Sequence, residues 1–151
     1  MIFYHGSKSL ITEFNKKGNG KHGYGGYFTP DKNEAIYFAK SLLGDGTKGK
    51  GFLYHVDITI RNSFNSMSIE HCQIVSSNFG FKYKIPEFAG GQKEHYHHLL
   101  SQMKKRGIIE NESLFNDLIK YSGFDSVLYE LMGHVIVFDL KNVSIVSKDD
   151  L

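Results

Sequence analysis

Apolar and polar positions alternate in short runs near both ends of the chain and recur at helical spacing between them. Met1-Ile2-Phe3-Tyr4-His5 reads as a short buried strand closed by Gly6. The polar stretch from Ser7 to His22 is expected to be a loop. Tyr24 to Phe28 is aromatic and punctuated by glycine, a strand whose backbone a ligand can approach closely. Thr29-Pro30-Asp31 marks a helix start, with Thr29 as the cap and Pro30 in the first turn. Apolar residues at 35, 36, 38 and 39 carry that helix from about Asp31 to Leu43. Gly44 to Gly51 reads as a turn and Phe52 to Ile60 as a strand. Helical periodicity returns around 92–106 and 112–121, ended by Gly107 and Gly123. Ser126 to Glu130 and His134 to Leu140 read as strands joined by a three-residue loop, Leu131-Met132-Gly133, with Gly133 in the left-handed position. Val143 to Ser147 is a last short strand. With no internal repeat and no low-complexity segment, the pattern predicts one α+β domain, 1–151, with mostly antiparallel strands.

Composition adds limits rather than a function. A chain of 151 residues is long enough to bury a proper core. A hydrophobic share of 40 % and a charged share of 23 % are ordinary for a globular protein. The net charge of +2 does not demand a nucleic-acid partner. Lysine clusters at Lys16-Lys17, Lys48 to Lys50 and Lys104-Lys105-Arg106 read as solvated surface. Cys72 is the only cysteine, so no intrachain disulfide forms and a reducing compartment is expected. It reads as a small residue of a helix or core rather than a nucleophile. The sequence does not open on a basic stretch followed by an apolar one, and no apolar run is long enough to span a bilayer, so a cytoplasmic location, in the producing cell or a host, or export by a route not visible in the sequence, is expected. His95-Tyr96-His97-His98 invites a zinc or nickel reading, but His97 leaves the face that His95 and His98 share. A solvated or acceptor-binding face is expected there, and no metal.

Candidate chemistry lies in three short segments. Tyr4-His5-Gly6-Ser7 ends the first strand, Gly23-Tyr24-Gly25-Gly26-Tyr27-Phe28-Thr29 covers the second, and Ala35-Ile36-Tyr37 lies on the following helix. Taken singly, His5, Tyr27 and Tyr37 are ordinary core residues. Their wording and order, however, resemble the diphtheria-toxin-like (His-Tyr-Glu) ADP-ribosyltransferase superfamily. The likeness is greatest to the small transferase domains of phage polyvalent proteins and bacterial toxins, and more distant to the poly(ADP-ribose) polymerase catalytic domain. Phe124-Asp125-Ser126-Val127-Leu128-Tyr129 and His134-Val135-Ile136-Val137-Phe138-Asp139 resemble the last hairpin of those families. The resemblance covers both ends and leaves roughly residues 61 to 110 unmatched.

The resemblance implies a split, mostly antiparallel sheet with flanking helices, and NAD⁺ as substrate. His5 would contact the ribose hydroxyls, Gly6 the carboxamide through its backbone, and Ser7 would add a hydrogen bond. Tyr27 would stack on the nicotinamide, Phe28 would belong to the same cofactor-binding segment, and Tyr37 would form a second aromatic wall. The arginine-specific class places an Arg on the first strand, and this chain has none before Arg61.

The family also places a glutamate at the start of the last core strand, where it acts at the ribose 2′-hydroxyl. This chain has His134 there. Were the hairpin loop three residues long, Glu130 and His134 would stand directly opposed. Glu130 would then supply the carboxylate, hold His134 in one tautomer, or form a surface ion pair. The reading is a mono-ADP-ribosyltransferase acting on a macromolecular acceptor, protein rather than nucleic acid, as a toxin, phage host-modifying or counter-defence factor. Its catalytic set is His134, Glu130 and Tyr27. A silent domain that binds NAD⁺, protein or nucleic acid without turnover is the alternative. An RNA 2′-phosphotransferase relative is disfavoured by the presence of only two arginines.

Overall fold

A computed structural model describes residues 2–7, 19–20, 23–24, 26–41, 51–87 and 94–151. The first strand, β1 (Ile2–Ser7), pairs antiparallel with β5 (Phe52–Ile58), which pairs antiparallel with β9 (Val143–Asp150). A second sheet has the order β4 (Gly26–Phe28), β8 (His134–Val137), β7 (Ser126–Tyr129), β6 (Ser63–Asn65). Only its β6–β7 pair is parallel. A short pair, β2 (Asn19–Gly20) and β3 (Gly23–Tyr24), completes the strands. Between the sheets, Tyr4 and Thr29 form a bridge in which they exchange both backbone hydrogen bonds at 2.7 and 3.0 Å. This is the split, mostly antiparallel α+β architecture expected.

Strand β8 explains how the molecule is layered. All four of its residues are buried, and their alternation feeds two cores. Val135 and Val137 face a core shared with Phe28 of neighbouring β4 and with Phe3, Tyr54 and Val56 of the other sheet. Ile136 faces a larger core closed by α2 (Ile69–Asn78), α3 (His95–Lys105) and α4 (Phe115–Tyr121). The remaining helix, α1 (Lys32–Ser41), lies on β1. Gly6 allows this close seating: a Cβ there would fall 1.8 Å from the Ala35 carbonyl oxygen.

Several elements depart from the sequence pattern. Thr29 makes the bridge to Tyr4 with its backbone and accepts the Asp31 N–H on its hydroxyl at 3.1 Å, and it is Asp31 that caps α1, its Oδ1 accepting from the Asn33 N–H at 2.9 Å. Strands β4, β5, β7 and β8 are shorter than their apolar runs, while β9 extends to Asp150. The run 112–121 divides into a 3₁₀ turn, Glu112–Leu114, and α4. The loops expected at 7–22 and 44–51 fall mostly outside the described residues. Both β6 and α2 went unpredicted. Ser68 caps α2, its hydroxyl accepting from the His71 N–H at 3.1 Å. A histidine rather than Glu or Gln follows three residues after Ser68, so the familiar capping-box wording is absent. Cys72 is fully buried on α2, and burial pushes its thiol up to about 12, which fits the core reading. Among the described residues no helix is long and apolar enough to cross a membrane.

Candidate active site

The site forms where the two sheets part. Tyr4 points both its N–H and its C=O at Thr29. Backbone groups alternate along an antiparallel strand, so Gly6, two residues on, also turns its own N–H and C=O toward the β4 side. His5 bridges the same gap with its side chain: Nδ1–H donates to the Tyr27 carbonyl at 2.9 Å. That bond leaves Nε2 as the acceptor nitrogen of a neutral ring. Burial lowers the pKa of His5 below its ordinary value, the bond to Tyr27 only partly opposing it, so the ring is neutral at pH 7.

The alternation of β4 sorts its two aromatic residues. Tyr27 pairs with Ile136 and packs against the helix-side core, whereas Phe28 pairs with Val135 on the opposite face. Phe28 is 0 % exposed, with its ring 5.6 Å from that of His5. The expectation that Phe28 binds cofactor is therefore corrected: a period of two cannot present both neighbours to one ligand, and Phe28 is core.

Tyr27 reaches across to β8. Its hydroxyl is in hydrogen-bond contact with His134 Nδ1, and the two rings meet edge to face, 5.0 Å apart. The other ring nitrogen, Nε2, lies 2.5 Å from Oε1 of Glu34, on α1. A carboxylate only accepts, so the proton belongs on Nε2 and the Tyr27 O–H donates to Nδ1. Burial, with the charges of Glu34 and Glu94, pushes the Tyr27 hydroxyl up to about 12, so it remains a neutral donor. His134 is only 5 % exposed. Glu34 Oε1 and His134 Nε2 are both buried, and each has the other as its polar contact among the described residues.

Glu34 was not among the sequence candidates, and Glu130 does not take the place assigned to it. The hairpin register pairs Tyr129, not Glu130, with His134. The loop is four residues, Glu130 to Gly133, because the Tyr129 carbonyl accepts from both Met132 and Gly133 N–H, at 3.2 and 2.7 Å. Gly133 does adopt the left-handed conformation, with φ of 73°, and packs near Pro30. Glu130 is exposed, and its N–H donates to Ser66 Oγ at 3.0 Å. The direct Glu130–His134 opposition is thereby corrected; the partner of His134 is Glu34.

The remaining candidates are distributed as follows. Ser7 ends β1 opposite Phe52. Tyr37 is 66 % exposed, one helical turn beyond Glu34, with its ring edge against Phe38. The histidine run is engaged within the protein rather than solvated. His95 Nδ1 and the Tyr83 hydroxyl lie 2.6 Å apart, and His97 stacks on Tyr129 at 6.2 Å. Among the described residues no three His, Cys, Asp or Glu side chains are placed to hold a metal. Lys104 pairs with Glu112 at 3.0 Å, and the Arg106 guanidinium lies 4.5 Å over the Phe81 ring. Lys16, Lys17, Lys48 and Lys50 fall outside the described residues.

No curated protein and no solved structure matches the chain. A family does, and it spans almost the whole sequence, covering residues 1–149. It is described as ADP-Ribosyltransferase in polyvalent proteins, the group its strand-end motifs resemble. The chain belongs to this ADP-ribosyltransferase family of polyvalent proteins.

Proposed function

We propose that residues 1–151 act as one NAD⁺-dependent mono-ADP-ribosyltransferase unit, with Glu34 and His134 together taking the place of the family's strand glutamate. The observation that carries this reading is the buried contact of Glu34 Oε1 with His134 Nε2, 2.5 Å, beside Tyr27 where the sheets part. A ribose hydroxyl donates to a carboxylate oxygen, so the pair offers it an acceptor. Gly6 offers backbone groups to the carboxamide, and His5 Nε2 accepts from a ribose hydroxyl. Ser7, at the end of the same strand, adds a polar group. Tyr27, anchored through its hydroxyl, turns a ring face to the nicotinamide, and Tyr37 covers the outer side.

Bond cleavage sends the electron pair of the C1′–N bond to the pyridinium, which leaves as neutral nicotinamide. Positive charge then develops on the ribose. The Glu34 carboxylate opposes it in a site largely closed to water, where such charge is stabilised most strongly. His134, through its Nε2, orients that carboxylate.

The acceptor is macromolecular, a protein in preference to a nucleic acid, and only single ADP-ribose units are transferred. Action in the cytoplasm of the producing cell or of a host fits a phage host-modifying, counter-defence or toxin role. The second reading, a silent domain that binds without turnover, is favoured by one feature, the histidine at position 134. Incubation with labelled NAD⁺ and whole-cell lysate, followed by separate protease and nuclease digestion, tests the first reading. Label that protease removes supports it; intact NAD⁺ binding with no label transfer and no nicotinamide release supports the second.

A further inference from the structure

Glu94 stands immediately before α3, in the N-cap position, yet its side chain makes no capping hydrogen bond. It is only 6 % exposed, and its Oε2 is buried without a hydrogen-bond partner among the described residues. A buried carboxylate in that condition is costly, which makes it a candidate for a functional position.

Its place in the fold is defined by packing. Ser66, fully buried, ties two segments to one point: its carbonyl accepts from the Tyr96 N–H at 2.9 Å, and its hydroxyl accepts from the Glu130 N–H. The Tyr96 ring then packs 5.0 Å from that of Tyr129, the register partner of His134. Glu94, two residues before Tyr96, is thereby held at the corner where Tyr129, Glu130, His134 and Tyr27 converge. The charges of Glu34 on α1 and of Glu94 before α3 both act on the Tyr27 hydroxyl.

We propose that Glu94 is the base that takes the proton from the acceptor nucleophile, and that exposed Glu130 passes this proton to water. The proposal rests on the transferase reading above. In the step, the C1′–N bond breaks with its electron pair leaving on nicotinamide. The acceptor's hydroxyl, amine or guanidinium nitrogen forms the new bond to C1′ and gives its proton to Glu94. Proton and charge balance without any other reactant. Glu34 and Glu94 thus divide the work, the first at the ribose and the second at the acceptor.

The groups facing Glu94 are Tyr27 on β4, Tyr129 on β7 and Glu130 in the hairpin loop, with His97 following on its own helix. Burial first, and the Glu130 charge second, raise the Glu94 pKa above the usual carboxylate range. Both tyrosine hydroxyls are raised and stay neutral, so Glu130 is the neighbour whose removal relaxes Glu94.

The test compares wild type, Glu94→Gln and Glu130→Gln for label transfer, nicotinamide release and NAD⁺ affinity, each across pH. The expected result for Glu94→Gln is a loss of transfer of about 100-fold, the scale of general base catalysis. Its NAD⁺ affinity should be unchanged and its acid limb abolished. Glu130→Gln should slow transfer, because the proton leaves Glu94 less readily, and should move the acid limb to lower pH. The carboxyl resonance of Glu94 in ¹³C-glutamate-labelled protein should titrate above the usual range and shift down in Glu130→Gln. Full transfer by Glu94→Gln, or a carboxyl titration unaffected by Glu130→Gln, overturns the proposal while wild-type turnover leaves the parent reading standing. A wild type without any nicotinamide release overturns both.

Discussion

Replacing Gly6 with alanine tests packing and function together. The new Cβ would lie 1.8 Å from the Ala35 oxygen, 2.8 Å from its carbon and 3.0 Å from the Ala39 nitrogen. Ordinary carbon–oxygen contacts begin at roughly 3.3 Å, so α1 must retreat by about 1.5 Å. The obstructing atoms are backbone, which cannot rotate away, so the cost lies near the upper end of the ~1–3 kcal/mol typical of overpacking. For a domain of this length that lowers Tm by about 6–10 °C. Glu34 adjoins Ala35, so the same retreat opens its 2.5 Å contact with His134. A misplacement on the order of 1 Å at a reacting centre costs about 100-fold in rate. Thermal unfolding followed by circular dichroism and nicotinamide release, on the same samples, read both effects. Gly80→Ala is the control, because its φ of 80° strains an alanine while nothing lies within 4 Å. A Gly6→Ala protein that melts no lower than the control and keeps its activity would refute the reasoning.

Three further outcomes follow from burial and charge. Phe28→Ala should destabilise the fold by about 3–5 kcal/mol, the range for emptying a buried phenylalanine site, whereas Phe28→Leu should restore both Tm and NAD⁺ affinity; a weakened affinity in a well-folded Phe28→Leu protein would return Phe28 to the cofactor site. Cys72, buried with its thiol pushed up to about 12, should react with a disulfide reagent only at the rate of unfolding, and faster labelling in the native state would contradict its place in the core. His5 has a folded pKa below its unfolded value of 6.5, so the unfolded chain binds the proton more readily. Its contribution is complete above pH 6.5 and is lost as pH falls below that value toward the folded pKa. Tm measured against pH should therefore fall less steeply on the acid side in His5→Gln than in wild type; equal slopes would exclude the effect. Glu94 biases stability in the opposite sense at low pH, but it is common to both proteins and cancels in the comparison.

The ends of the chain were legible because their signals are local. A five-residue apolar run, a Gly-punctuated aromatic strand and glycines at helix ends can be read within a few positions, and Gly107, Gly123 and Gly133 all adopt positive φ. The middle was not legible, because β6 is three residues long and gains its place only by parallel pairing with β7, more than sixty residues later. One residue of loop length separated the Glu130 expectation from the observed register, and a hydrogen bond to the Tyr129 carbonyl decides that length. Glu34 was invisible for a different reason. On an amphipathic helix it is one more polar position, and its partner His134 lies a hundred residues away across the split between the sheets. Glu94 hides in the same way, buried by the fold and carrying no motif of its own.

The account turns on Glu34 and His134 acting as one unit at the ribose. Nicotinamide release by wild type, Glu34→Gln, His134→Ala and the double variant measures this directly. The wild type should turn NAD⁺ over, each single variant should lose about 100-fold, and the double should be no slower than the slower single, as for residues that work together. Losses in the double equal to the product of the singles, or single variants with wild-type rates, would contradict it.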